Sequence, residues 1–157
     1  MDSIEAGFKS SLLDRKITFN AAAFSYKYKG IQRQTSVLFP DGTFARVTSN
    51  VGVSKAWGVE AEVNANPIEG LNINLGVGYL HADYKKWDDL EADNVTPIDN
   101  STLTVFQSPH WTINAGISYD IPVSEDGIIA KITPSANLYH VSSQYTNTEA
   151  QPVSYDN

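Results

Sequence analysis

Apolar and polar side chains take turns along several stretches of this sequence, a period of two that suits an extended strand and no helix. In AWGVEAEVNANP (56–67), Trp57, Val59, Ala61, Val63 and Ala65 fall on one side, and Gly58, Glu60, Glu62, Asn64 and Asn66 on the other. LNINLGVGYL (71–80) sets Leu71, Ile73, Leu75, Val77 and Tyr79 against Asn72, Asn74, Gly76 and Gly78. WTINAGISYDI (111–121) sets Trp111, Ile113, Ala115 and Ile117 against Thr112, Asn114, Gly116 and Ser118. SIEAGFKSSL (3–12) and IIAKITPSANLY (128–139) follow the same rule. ITFNAAAFSYKYKGIQ (17–32) changes phase, since Ile17 and Phe19 share a parity that Phe24, Tyr26 and Tyr28 do not. A β-bulge at 21–23 would bring these aromatics back to the apolar side.

The strands predict an all-β chain, and their connections predict its order. LDRK (13–16), NPIEG (66–70) and PVSEDG (122–127) are short and built of turn residues. The segments around 39–44 (FPDGTF), from 87 to 109 and from 144 onward read as long polar connections. Short and long connections alternate, which is the signature of an antiparallel up-and-down meander, here of about six long strands.

What the apolar face touches is the open question, and composition narrows it. The chain has 157 residues, 41% hydrophobic and 18% charged, enough for one domain. Its net charge of -7 is wrong for nucleic acid, whose phosphates need a basic surface. No cysteine is available for a disulfide or a thiolate metal site. No apolar run approaches the roughly 18 residues of a membrane helix, and the start lacks a basic segment followed by a long apolar one.

Strand length and the polar face point to a barrel in a membrane rather than a soluble β-sandwich. Soluble strands run to about 5 or 6 residues, whereas a tilted membrane strand needs roughly 9 to 11. The polar faces carry glycine and asparagine where a solvated sandwich favours lysine and threonine, and small polar residues suit a watery lumen. Glu60, Glu62, Asn64, Asn72, Asn74 and Asn114 are therefore the lumen-facing candidates. Trp57, Tyr79 and Trp111 stand at matching ends of apolar faces, as an aromatic girdle at one membrane interface would. A β-sandwich stays open on pattern alone.

GFKSSLLDRKITFNAAAFSYKYKGIQ, SKAWGVEAEVNANPIEGLNINLGVGYLHADY and SPHWTINAGISYDIP, in that order, resemble the C-terminal half of the barrel of TonB-dependent outer-membrane receptors. The matching residues are Ser54, Lys55, Gly58, Val59, Glu60, Glu62, Pro67, Gly70, Leu71, Gly76, Gly78 and Tyr79, with Pro109 opening the next strand. The resemblance implies a bacterial outer-membrane location and a barrel of about 22 strands around a plug. It implies energy-coupled uptake of a scarce solute such as a ferric siderophore, with the TonB protein acting through the plug. Residues 1–157 would then be a partial barrel, a curved open segment with the plug and the remaining strands absent. Its partners would be outer-membrane lipid, the rest of its own barrel and the solute. A passive porin-like barrel and a secreted β-sandwich binding module are the alternatives.

No motif supports an enzyme or a resident cofactor. A Gly-x-Ser-x-Gly elbow and a cysteine nucleophile are both missing. Glu60 and Glu62 read as a lumen charge ladder rather than an acid–base pair. His81, His110 and His140 fall on three different strands without ligand spacing. Asp88, Asp89, Glu91 and Asp93 crowd one long connection and are the extracellular ligand candidates, with solvation or divalent-ion bridging as the plainer reading.

Overall fold

The structure is a computed structural model that describes residues 1–39, 41–90, 97–123 and 131–145. These residues form strands and connections without a helix. The strands are β1 (Asp2–Leu12), β2 (Ile17–Leu38), β3 (Phe44–Ala65), β4 (Leu71–Leu90), β5 (Pro97–Asp99), β6 (Trp111–Tyr119), β7 (Ile121–Pro122), β8 (Lys131–Ile132) and β9 (Ser135–Val141). The main sheet runs β1-β2-β3-β4-β6-β9 with every pair antiparallel, so the meander is as the connections predict. β5 pairs only with the far end of β4, and β7 pairs with β8 as a small separate ladder.

Among the described residues the main sheet is open and has no second layer packed on it. β1 and β9 each have one neighbour among the described residues. The accessible surface is 11767 Å², against roughly 7,800 Å² for a compact chain of this size. Among the described residues the buried apolar side chains are Ala56, Tyr84 and Trp87 alone. A β-sandwich needs a second sheet about 10 Å away to cover the apolar side, and the described residues supply none.

Four stretches depart from their sequence-based expectation. The register of β2 against β1 and β3 is unbroken through 21–23, and the bulge lies instead at 29–32, where Gly30 takes a positive φ of 74°. Phe24, Tyr26 and Tyr28 therefore stay on the polar side, opposite Gly58, Ala56 and Ser54. A shift at 21–23 would have broken two ladders at once, since β2 is paired on both edges.

The segment around 39–44 is a tight turn rather than a long connection. The Phe39 carbonyl accepts from the Gly42 N–H at 2.9 Å, and the Asp41 carboxylate accepts from the Thr43 hydroxyl at 2.7 Å. β2 and β3 each have 22 residues and β4 has 20, about twice the span of a tilted membrane strand, so the reach comes from long paired ribbons. The expected connection from 87 onward likewise begins as strand, because β4 continues to Leu90 and pairs with β5. The stretch 128–139 is divided: 128–130 lie outside the described residues, and Thr133 and Pro134 separate β8 from β9. Proline offers no N–H for a ladder.

Candidate functional site

The register collects every polar candidate on one face. Reading across the sheet, Asn20 pairs with Glu62 and Glu62 with Gly76, which pairs with Asn114. Asn64 pairs with Asn74, and Asn72 with Ser118. The Glu62 carboxylate accepts from the Asn64 amide at 2.8 Å and from the Asn20 amide at 3.4 Å, which fixes its orientation along the wall. Asn66 donates to Asn72 one turn further. Glu60 lies beside Gly78.

Glycines on this face hold the asparagine side chains close to the sheet. A Cβ at Gly116 would come within 2.5 Å of Asn74 Nδ2 and 2.8 Å of Asn137 Oδ1, and one at Gly76 would collide with the Asn114 amide. The phenyl ring of Phe24 covers Gly58 in the same way. The result is a wall of amides and three carboxylates, Glu5, Glu60 and Glu62, with a concavity of about 810 Å³ whose lining also includes Asn20 and Asn114. Such a wall offers hydrogen bonds to a polar solute or a polar protein surface and contains no nucleophile–base pair.

The opposite face is apolar and exposed. Ile4 is 73% exposed, Phe8 57% and Leu138 59%, and Val59, Leu75 and Ile117 are exposed beside them. Trp57, Tyr79 and Trp111 come together at one level of this face, with ring centroids 5.4 Å apart for Trp57–Tyr79 and 4.9 Å for Tyr79–Trp111. Sequence spacing placed them at matching strand ends; the register makes them a continuous row. His81 and His110 extend that row, their rings stacked at 5.9 Å. His81 is held by Asp83 at 3.0 Å, and His110 by the Leu80 carbonyl at 2.9 Å. His140 stands apart, across the sheet from Ile113.

The acidic candidates divide. Asp88 forms an ion pair with Lys86 at 2.6 Å, and the hydrogen bond that the ammonium donates to this carboxylate holds the lysine above its ordinary pKa. Asp89 takes part in the β4–β5 ladder opposite Ile98, while Glu91 and Asp93 lie outside the described residues. Asp99, across from Asp88, accepts the Ser101 N–H at 2.8 Å, and that bond lowers its pKa. Beneath them Tyr84 and Trp87 pack edge to face at 4.4 Å with Ile31, Leu103 and Val105 around them. Sequence reading missed this small core and the polar-side aromatics Phe24, Tyr26 and Tyr28. An unshifted alternation through 17–28 is the signal that would have found the latter.

No solved structure matches the chain. A family model described as TonB dependent receptor-like, beta-barrel matches residues 1–156, nearly the whole sequence. The match agrees with the geometry above: long antiparallel strands, one apolar exposed face, one face of amides and carboxylates, and an aromatic row at a single level. The family consists of outer-membrane receptors that transport solutes and are not enzymes. The chain belongs to the TonB-dependent receptor-like β-barrel family.

Proposed function

We propose that residues 1–157 are a stretch of wall in a larger outer-membrane barrel, completed by further strands and a plug, that takes up a ferric siderophore with energy supplied through TonB. The observation that carries the wall reading is the unbroken field of exposed apolar side chains, from Ile4 and Phe8 on β1 to Leu138 on β9. In water such a field associates; in hydrocarbon it is solvated, provided the remaining backbone groups are paired by neighbouring strands. On this reading Glu60, Glu62, Asn64, Asn72, Asn74 and Asn114 face the lumen, and Trp57, Tyr79 and Trp111 lie at the interface on the side of the long ribbons. Asp88 and its neighbours on the ribbon ends would meet the solute first, as binding groups on a rigid scaffold do.

Uptake of a radiolabelled ferric siderophore by cells carrying the intact receptor tests the reading. Uptake that stops when the energy-coupling protein is deleted is the expected result. Equal uptake with and without coupling would assign a passive pore instead. Coupled uptake of another solute, with none of the siderophore, would overturn the substrate class alone.

A further inference from the structure

The hairpin formed by β6 and β9 does not stop where its neighbour turns. β7 and β8 keep its register: Ser118 stands opposite Ser135, the Tyr119 N–H donates to the Pro134 carbonyl at 3.1 Å, and Ile121 stands opposite Ile132. Each step down one strand is one step up the other, so the two ladders are one hairpin. β4 leaves it earlier. Its last pair with β6 is Leu71–Tyr119, and the Asp120 N–H still reaches the Gly70 carbonyl at 2.9 Å. Among the described residues nothing pairs with Ile121 or Pro122 on that side.

The projecting end keeps the two chemistries of the sheet apart. Alternation carries the outward stripe of Ile113, Ile117 and Tyr119 on to Ile121, which is 42% exposed, and across the ladder to Ile132, which is 52% exposed. On the other side the Asp120 carboxylate accepts from the Thr133 hydroxyl at 2.7 Å and from the Lys131 ammonium at 2.9 Å. A two-stranded ribbon standing in water gains nothing by gathering apolar side chains on one side, and by itself it is marginally stable. Backbone bonds alternate in direction along a strand, so the donor due at the vacant edge falls on Pro122, which has no N–H.

We propose that this hairpin end rests in the periplasmic leaflet, with Ile121 and Ile132 against phospholipid acyl chains at the boundary with the headgroups. The proposal rests on the barrel-wall reading and adds to it a wall of uneven height. β6 has 9 residues. At about 3.4 Å each and a tilt of about 45° they give roughly 22 Å, short of an apolar band of about 25 Å. Continuing to Ile121 completes the band. Residues 57–65 of β3 are equally long and end at the turn, so the lower boundary of the bilayer steps up beside them. Phospholipid fits better than a protein partner. The continuation adds Ile121, Val123 and Ile132, well short of the roughly 1,000 Å² of a stable protein interface, and it extends without interruption the face already given to lipid.

The test places one nitroxide label at a time on the intact receptor, through a cysteine introduced at Ala61, Glu69, Ile121, Pro122 or Ile132, in vesicles of phosphatidylethanolamine and phosphatidylglycerol. Residues 1–157 contribute no competing cysteine. Collision rates with oxygen, which partitions into acyl chains, and with a water-soluble nickel complex are compared for each label. Ile121→Cys and Ile132→Cys should favour oxygen, as Ala61→Cys does. Pro122→Cys, at the same height on the other side, and Glu69→Cys, in the neighbouring turn, should favour nickel. A label favouring nickel at either isoleucine would place the hairpin end in water, and one shielded from both reagents would mean a protein covering; each result overturns the proposal. Oxygen favoured at Glu69 would overturn the step in height. Each isoleucine is read in receptor with a heat-modifiable folded band, and either one by itself decides. Nickel favoured at Ala61 would overturn the barrel-wall reading itself, so the two failures are told apart.

Discussion

At the scale of single residues, the polar face depends on glycines that keep neighbouring side chains flat. Gly58 is buried beneath Phe24, and a Cβ there would come within 2.5 Å of both the Phe24 ring and the Tyr79 carbonyl oxygen. The ring is a side chain that can change rotamer, whereas the carbonyl belongs to the paired backbone of β4. Gly58→Val should therefore destabilise the intact receptor by about 1–3 kcal/mol, read as a fall in the temperature at which its folded band is lost. Adding Phe24→Ala should recover only part of the loss, because the backbone clash stays. Full recovery would mean that the ring is the whole obstacle.

At the scale of elements, each strand works by keeping two chemistries on opposite sides. Ala61 and Glu60 are neighbours in β3, yet Ala61 lies between Ala21 and Val77 on the apolar face and Glu60 between Ala22 and Gly78 on the polar one. Ala61 is also midway between the level of Trp57 and the end of β3 at Ala65. An arginine on the lipid side near the bilayer centre costs about 2–4 kcal/mol, whereas the same residue in a lumen is hydrated. Ala61→Arg should accordingly lower the yield of folded, membrane-inserted receptor sharply, and Glu60→Arg should not. Folded bands after outer-membrane extraction measure both, and equal tolerance would contradict a lipid-facing apolar side. The ends of the elements follow the same logic: β2, β3 and β4 leave the apolar band beyond the aromatic row and continue as polar ribbons, with Tyr84 and Trp87 as their only buried apolar pair among the described residues.

For the whole molecule the deciding quantity is the hydrogen bonds that the sheet leaves unmade. Among the described residues β1 and β9 each present one unpaired edge and no second layer covers the apolar side. Open edges recruit other chains in water, and lipid-exposed ones are too costly to persist in hydrocarbon. Residues 1–157 expressed alone should thus form large assemblies in sedimentation velocity and show no cooperative thermal transition. A monomer that melts in one step would show that the sheet is sufficient in itself and would revive a secreted binding module.

Local alternation determined much of this protein by itself. Side chains two residues apart lie on the same side of a strand whatever the partner strand is, so the faces holding Trp57, Val59 and Ala61, or Asn72, Asn74 and Gly76, could be read before any pairing was known. Turn chemistry at 13–16 and 66–70 gave the antiparallel order, because a short connection leaves no other route to the next strand. Cross-strand relations needed the tertiary structure. The phase of β2 follows from its ladders with β1 and β3, which hold Phe24, Tyr26 and Tyr28 on the polar face although their composition suggests the other. The length of the ribbons depends on pairing between β2 and β3 through residues with little apolar pattern of their own. The opposition of Lys27 to Lys55 joins residues 28 positions apart, and only the register brings them face to face. A strand's sequence fixes which side each residue takes, but what stands across from it is set by the neighbour's register, and a shift of one residue there changes every pair.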